Sequence, residues 1–173
     1  MRLIFSILLM LLCNIIYSQN LSFEEISKLR KKNFTEVEEF LASKNWILIA
    51  SNMDVSKELD NVVFAYKKSI INDEAESFLT YHFTEHSSKR KRVAVQIHNI
   101  EIYKNYLSKI KSYGCKLINS SVEEEQIKKV YQGATTTFII TVSTTKNTDS
   151  FVTAPKYGFF IVDNSDYYEN FND

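Results

Sequence analysis

The chain has 173 residues, 45% of them hydrophobic and 13% aromatic, and its 21 basic residues balance 21 acidic ones. That balance lacks the basic footprint of nucleic-acid binding, and one proline with three glycines excludes collagen-like, linker-rich and low-complexity chains. The apolar content is ample for a single buried core, so one domain of ordinary size is expected.

The first segment reads as a leader. Arg2 supplies a positive start, residues 3–12 are apolar apart from Ser6, and the small Ser18 precedes Gln19 as a cleavage point. This is the layout of a secretory signal peptide over residues 1–18, too short and poorly flanked for a stop-transfer helix. It implies a secreted or periplasmic protein with no membrane span after cleavage. Cys13 would leave with the signal, and Met10, Leu11 and Leu12 lack the small residue that lipoprotein processing wants. Cys115 is then the one mature thiol; no intrachain disulfide can form, and a buried small hydrophobe is expected there.

Two capping boxes follow. Ser22 with Glu25, and Thr35 with Glu38, each place a hydroxyl acceptor three residues before a glutamate, ahead of apolar positions at helical spacing. Two start signals in one helix would be redundant, so two short helices hinged at Asn33 and Phe34 are favoured over one helix across 22–43.

From Trp46 the period changes to that of strands. Segments 46–49, 61–66, 76–83 and 93–97 are short runs of β-favouring residues joined by polar turns, the reading of a four-stranded antiparallel meander. Ile100, Tyr103, Tyr106, Leu107 and Ile110 return to helical spacing, and Gly114 suits the helix end. The order then starts again with strands at 115–118, 127–132, 135–145 and 157–162. The expected fold is α+β: an antiparallel sheet of seven or eight strands with helices on one face. Two helix-plus-four-strand repeats are expected at about 22–98 and 99–163, with 164–173 a loose tail. The opposite face is expected to be solvated and rich in Thr, Lys and Tyr.

Four constellations carry candidate chemistry. His82, Glu85 and His86 match the H-x-x-E-H pattern, which resembles inverted zinc-peptidase motifs in which histidines four apart share a helix face. Here the pattern sits at a strand end, where extended geometry separates the histidines by roughly 13 Å, so the expected count of metals and cofactors is none. His98, beside Asn99, is expected at a strand–helix boundary. Lys89, Arg90, Lys91 and Arg92 form the sharpest charge cluster, expected as a solvated hairpin tip that guards the sheet edge, with an anionic surface as its alternative ligand. Tyr167 and Tyr168, in an acidic and aromatic tail, are contact candidates. Asp163, Ser165 and Glu169 miss the spacing of a calcium loop.

Asn20, Asn33 and Asn119 open glycosylation sequons. The abundance of Lys, Asn and Ile and the Tyr-Ser-Gln ending of the signal resemble small secreted proteins of AT-rich Bacteroidota. Within the chain, residues 33–46, from Asn33-Phe-Thr to Lys-Asn-Trp46, resemble the opening of members of that group. The resemblance implies a periplasmic or surface location, where the sequons are idle, and it carries no activity. The helix-then-strands layout is similar to that of secreted inhibitor and envelope-assembly domains, an analogy of fold only.

No nucleophile elbow and no glycine-rich phosphate loop is present in the sequence. The expected function is a non-enzymatic binding module whose partner is another protein. Its rivals are a metal-dependent hydrolase built on His82, Glu85 and His86, and an envelope component anchored through residues 89–92.

Overall fold

The computed structural model describes residues 21–53, 59–71, 74–84, 87–123, 125–146 and 153–172, with backbone alone for 87–89, 144–146 and 153–154. The expected signal peptide lies outside the described residues, as do Glu85 and His86. Helices α1 (Phe23–Leu29) and α2 (Phe34–Ser43) precede strands β1 (Trp46–Asn52), β2 (Asp60–Tyr66), β3 (Ser77–Thr84) and β4 (Ser87–Ile97). Helix α3 (Ile100–Ser112) precedes β5 (Lys116–Glu123), β6 (Gln126–Gln132), β7 (Thr136–Lys146) and β8 (Thr153–Asp163), and α4 (Asn164–Asn170) follows. No helix among the described residues is long and apolar enough to cross a membrane.

Local chemistry sets the helix ends. Ser22 and Glu25 form the expected capping box. The second box is made by Asn33 and Glu36 rather than Thr35 and Glu38: Asn33 Oδ1 accepts from Glu36 N at 2.9 Å, and Asn33 N donates to the Glu36 carboxylate at 2.8 Å. Asn33 is the extended residue where the chain re-enters a helix, and Asn caps at least as well as Thr. The hinge between α1 and α2 therefore falls where expected.

All eight strands join in one antiparallel sheet of order β1-β2-β3-β4-β8-β7-β6-β5. Each half is a meander, and the halves meet where β4 pairs with β8. Their details match. Asn45 (φ 62°) and Gly114 (φ 74°) carry the chain out of α2 and α3 in the left-handed conformation, which Asn and Gly adopt at least cost. Three to four residues later each edge strand shifts register, between Leu48 and Ala50 in β1 and between Leu117 and Asn119 in β5.

Helices α1, α2 and α3 cover the inner face of the sheet. They bury Phe23, Ile26, Leu29, Val37, Leu41, Tyr106 and Ile110 against Val62, Phe64, Leu79, Val95, Phe138, Ile140, Phe159 and Ile161. Alternation along each strand selects this set, and each such side chain contributes about 1.5–3 kcal/mol. Phe23 sits among Tyr106 and Phe138, ring centres 5.7 and 5.3 Å away.

Two further features differ from the sequence expectation. The strand tyrosines Tyr66, Tyr81, Tyr131 and Tyr157 point inward and are buried, because their strand positions alternate in phase with the apolar ones. Tyr81 OH donates to Lys32 O at 2.6 Å, and Tyr106 OH donates to Leu21 O, so their polar ends are satisfied inside. Residues 164–170, expected to be loose, form α4, which lies on the outer face. Its Tyr167 is 2% exposed and packs with Val130, Ile139 and Val162, residues that alternate with the inner set.

Candidate functional site

The basic cluster is part of strand β4, so its side chains divide between the two faces. Lys91 points inward and donates to Lys32 O at 2.7 Å. Arg92 points outward, donating to both carboxylate oxygens of Asp166 at 2.7 Å. Its guanidinium also lies over the Phe171 ring, 4.9 Å from the centre. Arg90 pairs with Glu169 at 3.2 Å. Only the backbone of Lys89 is described. Two of the four side chains, expected at a solvated hairpin tip, thus hold α4, because its acidic residues fall at i, i+3 spacing above them.

Asn164 ties the start of α4 to the β6–β7 turn. Its side chain accepts from Thr137 Oγ1 at 2.9 Å and donates to Gly133 O at 3.1 Å. Asp163, at the cap position, makes no capping bond and instead pairs with Arg30 at 2.6 Å. Tyr168 remains half-exposed, with its hydroxyl donating to Gln132 Oε1 at 3.0 Å. Tyr167 is a core residue and is not accessible to a partner.

His82 also lies on the outer face, edge-on to Phe160 at 6.0 Å and opposite Arg92 in register. Burial, with the Arg92 charge adding to it, holds its pKa below the ordinary value and favours the neutral ring. Glu85 and His86 lie outside the described residues, and among the described residues no three His, Cys, Asp or Glu side chains converge as a metal site. His98 caps the lower end of the sheet at the β4–α3 boundary. Its Nδ1 is 3.4 Å from Pro155 O and its Nε2 is 3.3 Å from Gln96 Nε2, consistent with a ring that donates through Nδ1 and accepts through Nε2.

Among the described residues no helix lies over the lower half of the outer face, where Ile47 is exposed, Ala65 is buried and the other outward positions of the row are partly buried. One register row crosses it from edge to edge: Ile47, Ala65, Phe78, Gln96, Gly158, Thr141, Lys128 and Ser121. It mixes an aromatic ring, an amide, hydroxyls and a glycine at which Thr141 leans in; a Cβ on Gly158 would meet Thr141 Oγ1 at 2.3 Å. The β2–β3 connection leaves from this same end, since Tyr66 and Ser77 pair in the next row. At its tip Ile70 is 101% exposed and Ile71 is 93% exposed. The sequence signal for this pair is two adjacent isoleucines inside a polar stretch between strands, which strand-seeking periodicity passes over.

No protein-family model, no curated protein and no solved structure matches the chain.

Proposed function

We propose that this protein is a secreted or periplasmic, non-enzymatic binding module. Its partner, another protein, docks on the lower half of the outer sheet face and takes Ile70 and Ile71 as anchors. The observation that carries the reading is the full exposure of two adjacent isoleucines on a loop bordering the open row. Paired exposed apolar side chains at the rim of a mixed polar surface are what an interface covers. The location rests on the leader over residues 1–18.

Loop chemistry favours a protein over an anionic lipid surface. Residues 67–76 carry Lys67 and Lys68 against Asp73, Glu74 and Glu76, and Lys67 pairs with Glu76 at 3.1 Å. An acidic balance around the isoleucines repels anionic headgroups. Arg90 and Arg92 hold α4 instead of facing outward as free cations.

A photo-crosslinking residue placed at Ile71 or Phe78, and at Glu39 on α2 as a control, tests the reading in the native host. The expected result is one protein adduct, of the same mass from Ile71 and Phe78 and missing from Glu39. No adduct from either position, or equal yield from Glu39, would overturn it; lipid adducts alone would overturn the choice of partner class.

A further inference from the structure

Strand β5 closes one end of the sheet: it pairs with β6 and, among the described residues, with no other strand. Its free side is a row of backbone N–H and C=O groups, the template on which another strand adds. Leu117 is 50% exposed and Val122 is 77% exposed. Both face inward, since Leu117 pairs with the buried Tyr131 and Val122 pairs with Ile127, the neighbour of Val142 beside the core. A regular strand would put these two residues on opposite faces. The extra residue at Ile118 brings them to one face. Lys116, opposite Gln132, and Glu123, opposite Gln126, end the strand on the outer face. Lys116 is exposed, and Glu123 meets Lys128 only at 3.8 Å.

This strand is complementary to its own reversed copy. Residues directly opposite each other in an antiparallel pair share a face. With Ser120 opposite Ser120 of a second copy, Asn119 meets Ser121. With Ile118 bulged in both strands, as it is against β6, Leu117 then meets Val122 and Lys116 meets Glu123. Apolar side chains pair on the inner face and opposite charges pair on the outer face, each twice by symmetry. Neighbouring registers lose this match: centring on Ser121 sets Ser120 against Val122, and centring on Asn119 sets Ser120 against Leu117. The other edge strand, β1, carries no charged side chain to fix a register.

We propose that the protein forms a twofold dimer by antiparallel pairing of β5 with β5 of a second copy. The axis passes through Ser120 and joins the two eight-stranded sheets into one. It runs perpendicular to the sheet, so both outer faces lie on the same side. The pairing leaves the proposed docking rows accessible and stands independently of that reading. One strand edge per copy is a narrow interface, so the dimer exchanges with monomer at micromolar concentrations.

Sedimentation equilibrium of the purified protein from about 1 to 300 µM reads the association. The wild type is expected to show a reversible monomer–dimer equilibrium without larger species, since a twofold pairing closes on itself. Val122→Lys sets a cation against Leu117 of the second copy and is expected to weaken association at least about thirtyfold. Leu48→Lys, the same change on the β1 edge, leaves it unaltered. Lys116→Glu and Glu123→Lys each bring like charges together at two places and weaken association about tenfold. Combining them restores association to within about twofold of wild type, which loss of local structure by either substitution would not do. All four side chains are exposed, so each variant is expected to keep the circular dichroism spectrum of the wild type. Monomer at every concentration, or open-ended oligomers, would overturn the proposal. So would association that survives Val122→Lys or is lost in Leu48→Lys, and a combined charge variant no tighter than the single ones.

Discussion

Asp166→Ala tests how α4 is held to the sheet. Asp166 is 4% exposed and its partner Arg92 is 14% exposed, with two charge-assisted hydrogen bonds of 2.7 Å between them. Asn170 Nδ2 adds a third bond to the same carboxylate at 2.8 Å. Removing the carboxylate leaves a largely buried guanidinium uncompensated. Breaking such a pair costs about 3 kcal/mol, the lower end of the buried-pair range because Arg92 keeps some contact with solvent. For a chain of this size that corresponds to a fall in melting temperature of about 6–12 °C. The loss has a ceiling: once it exceeds the free energy of docking α4, the helix simply detaches. Amide exchange within residues 164–170 should then rise about a hundredfold before the rest of the sheet responds. Urea denaturation and hydrogen exchange read the two quantities separately. The double replacement Arg92→Met with Asp166→Leu should recover most of the stability, since exchanging both charges for apolar groups removes the desolvation cost. A change below about 0.5 kcal/mol in Asp166→Ala, or a double variant less stable than either single one, would refute the reasoning.

The pKa of His82 is held below 6.5 by burial and by the Arg92 charge, so as pH falls the unfolded chain takes up its proton first. The stability this group contributes is present above about pH 6.5 and is lost as pH falls through the folded-state value. His82→Gln should flatten that acid-side decline in urea midpoints, and an unchanged slope would contradict it. Gly158→Ala should cost about 1–3 kcal/mol by overpacking against Thr141 Oγ1. Adding Thr141→Ala should restore most of that loss, and purely additive losses would show that the two sites do not touch.

Much of the fold is written in local pattern. Val62, Phe64 and Tyr66, then Leu79, Tyr81 and Phe83, alternate as strands with one buried face must, and the segments at 46–49 and 115–118 announce two halves of like order. What local pattern does not state is which side the helices take. That is why the tyrosines read as candidates for the open face, whereas they fill the core. Helix α4 was hidden for a related reason. Its segment has few apolar residues, and its main anchor, Arg92, lies 74 positions earlier in the chain. A cluster of four cations reads as a solvated hairpin tip, or as a grip on an anionic surface, until the partner carboxylates Asp166 and Glu169 are brought across the sheet. The second capping box was misplaced by two residues because Asn33 and Thr35 each have a glutamate three positions on; the end of α1 decides between them. Ile70 and Ile71 are legible as an exception to polar loop composition, yet only their position beside the open row gives them meaning.

The most direct test of the binding account is the double substitution Ile70→Asp with Ile71→Asp in the tagged protein, followed by quantitative capture from the native host. Both side chains are fully exposed, so the fold should be as stable as wild type to within about 0.5 kcal/mol. The account predicts that the dominant captured protein falls by at least about thirtyfold, the scale of losing an interface anchor. Undiminished capture of that protein by the equally stable variant would contradict it.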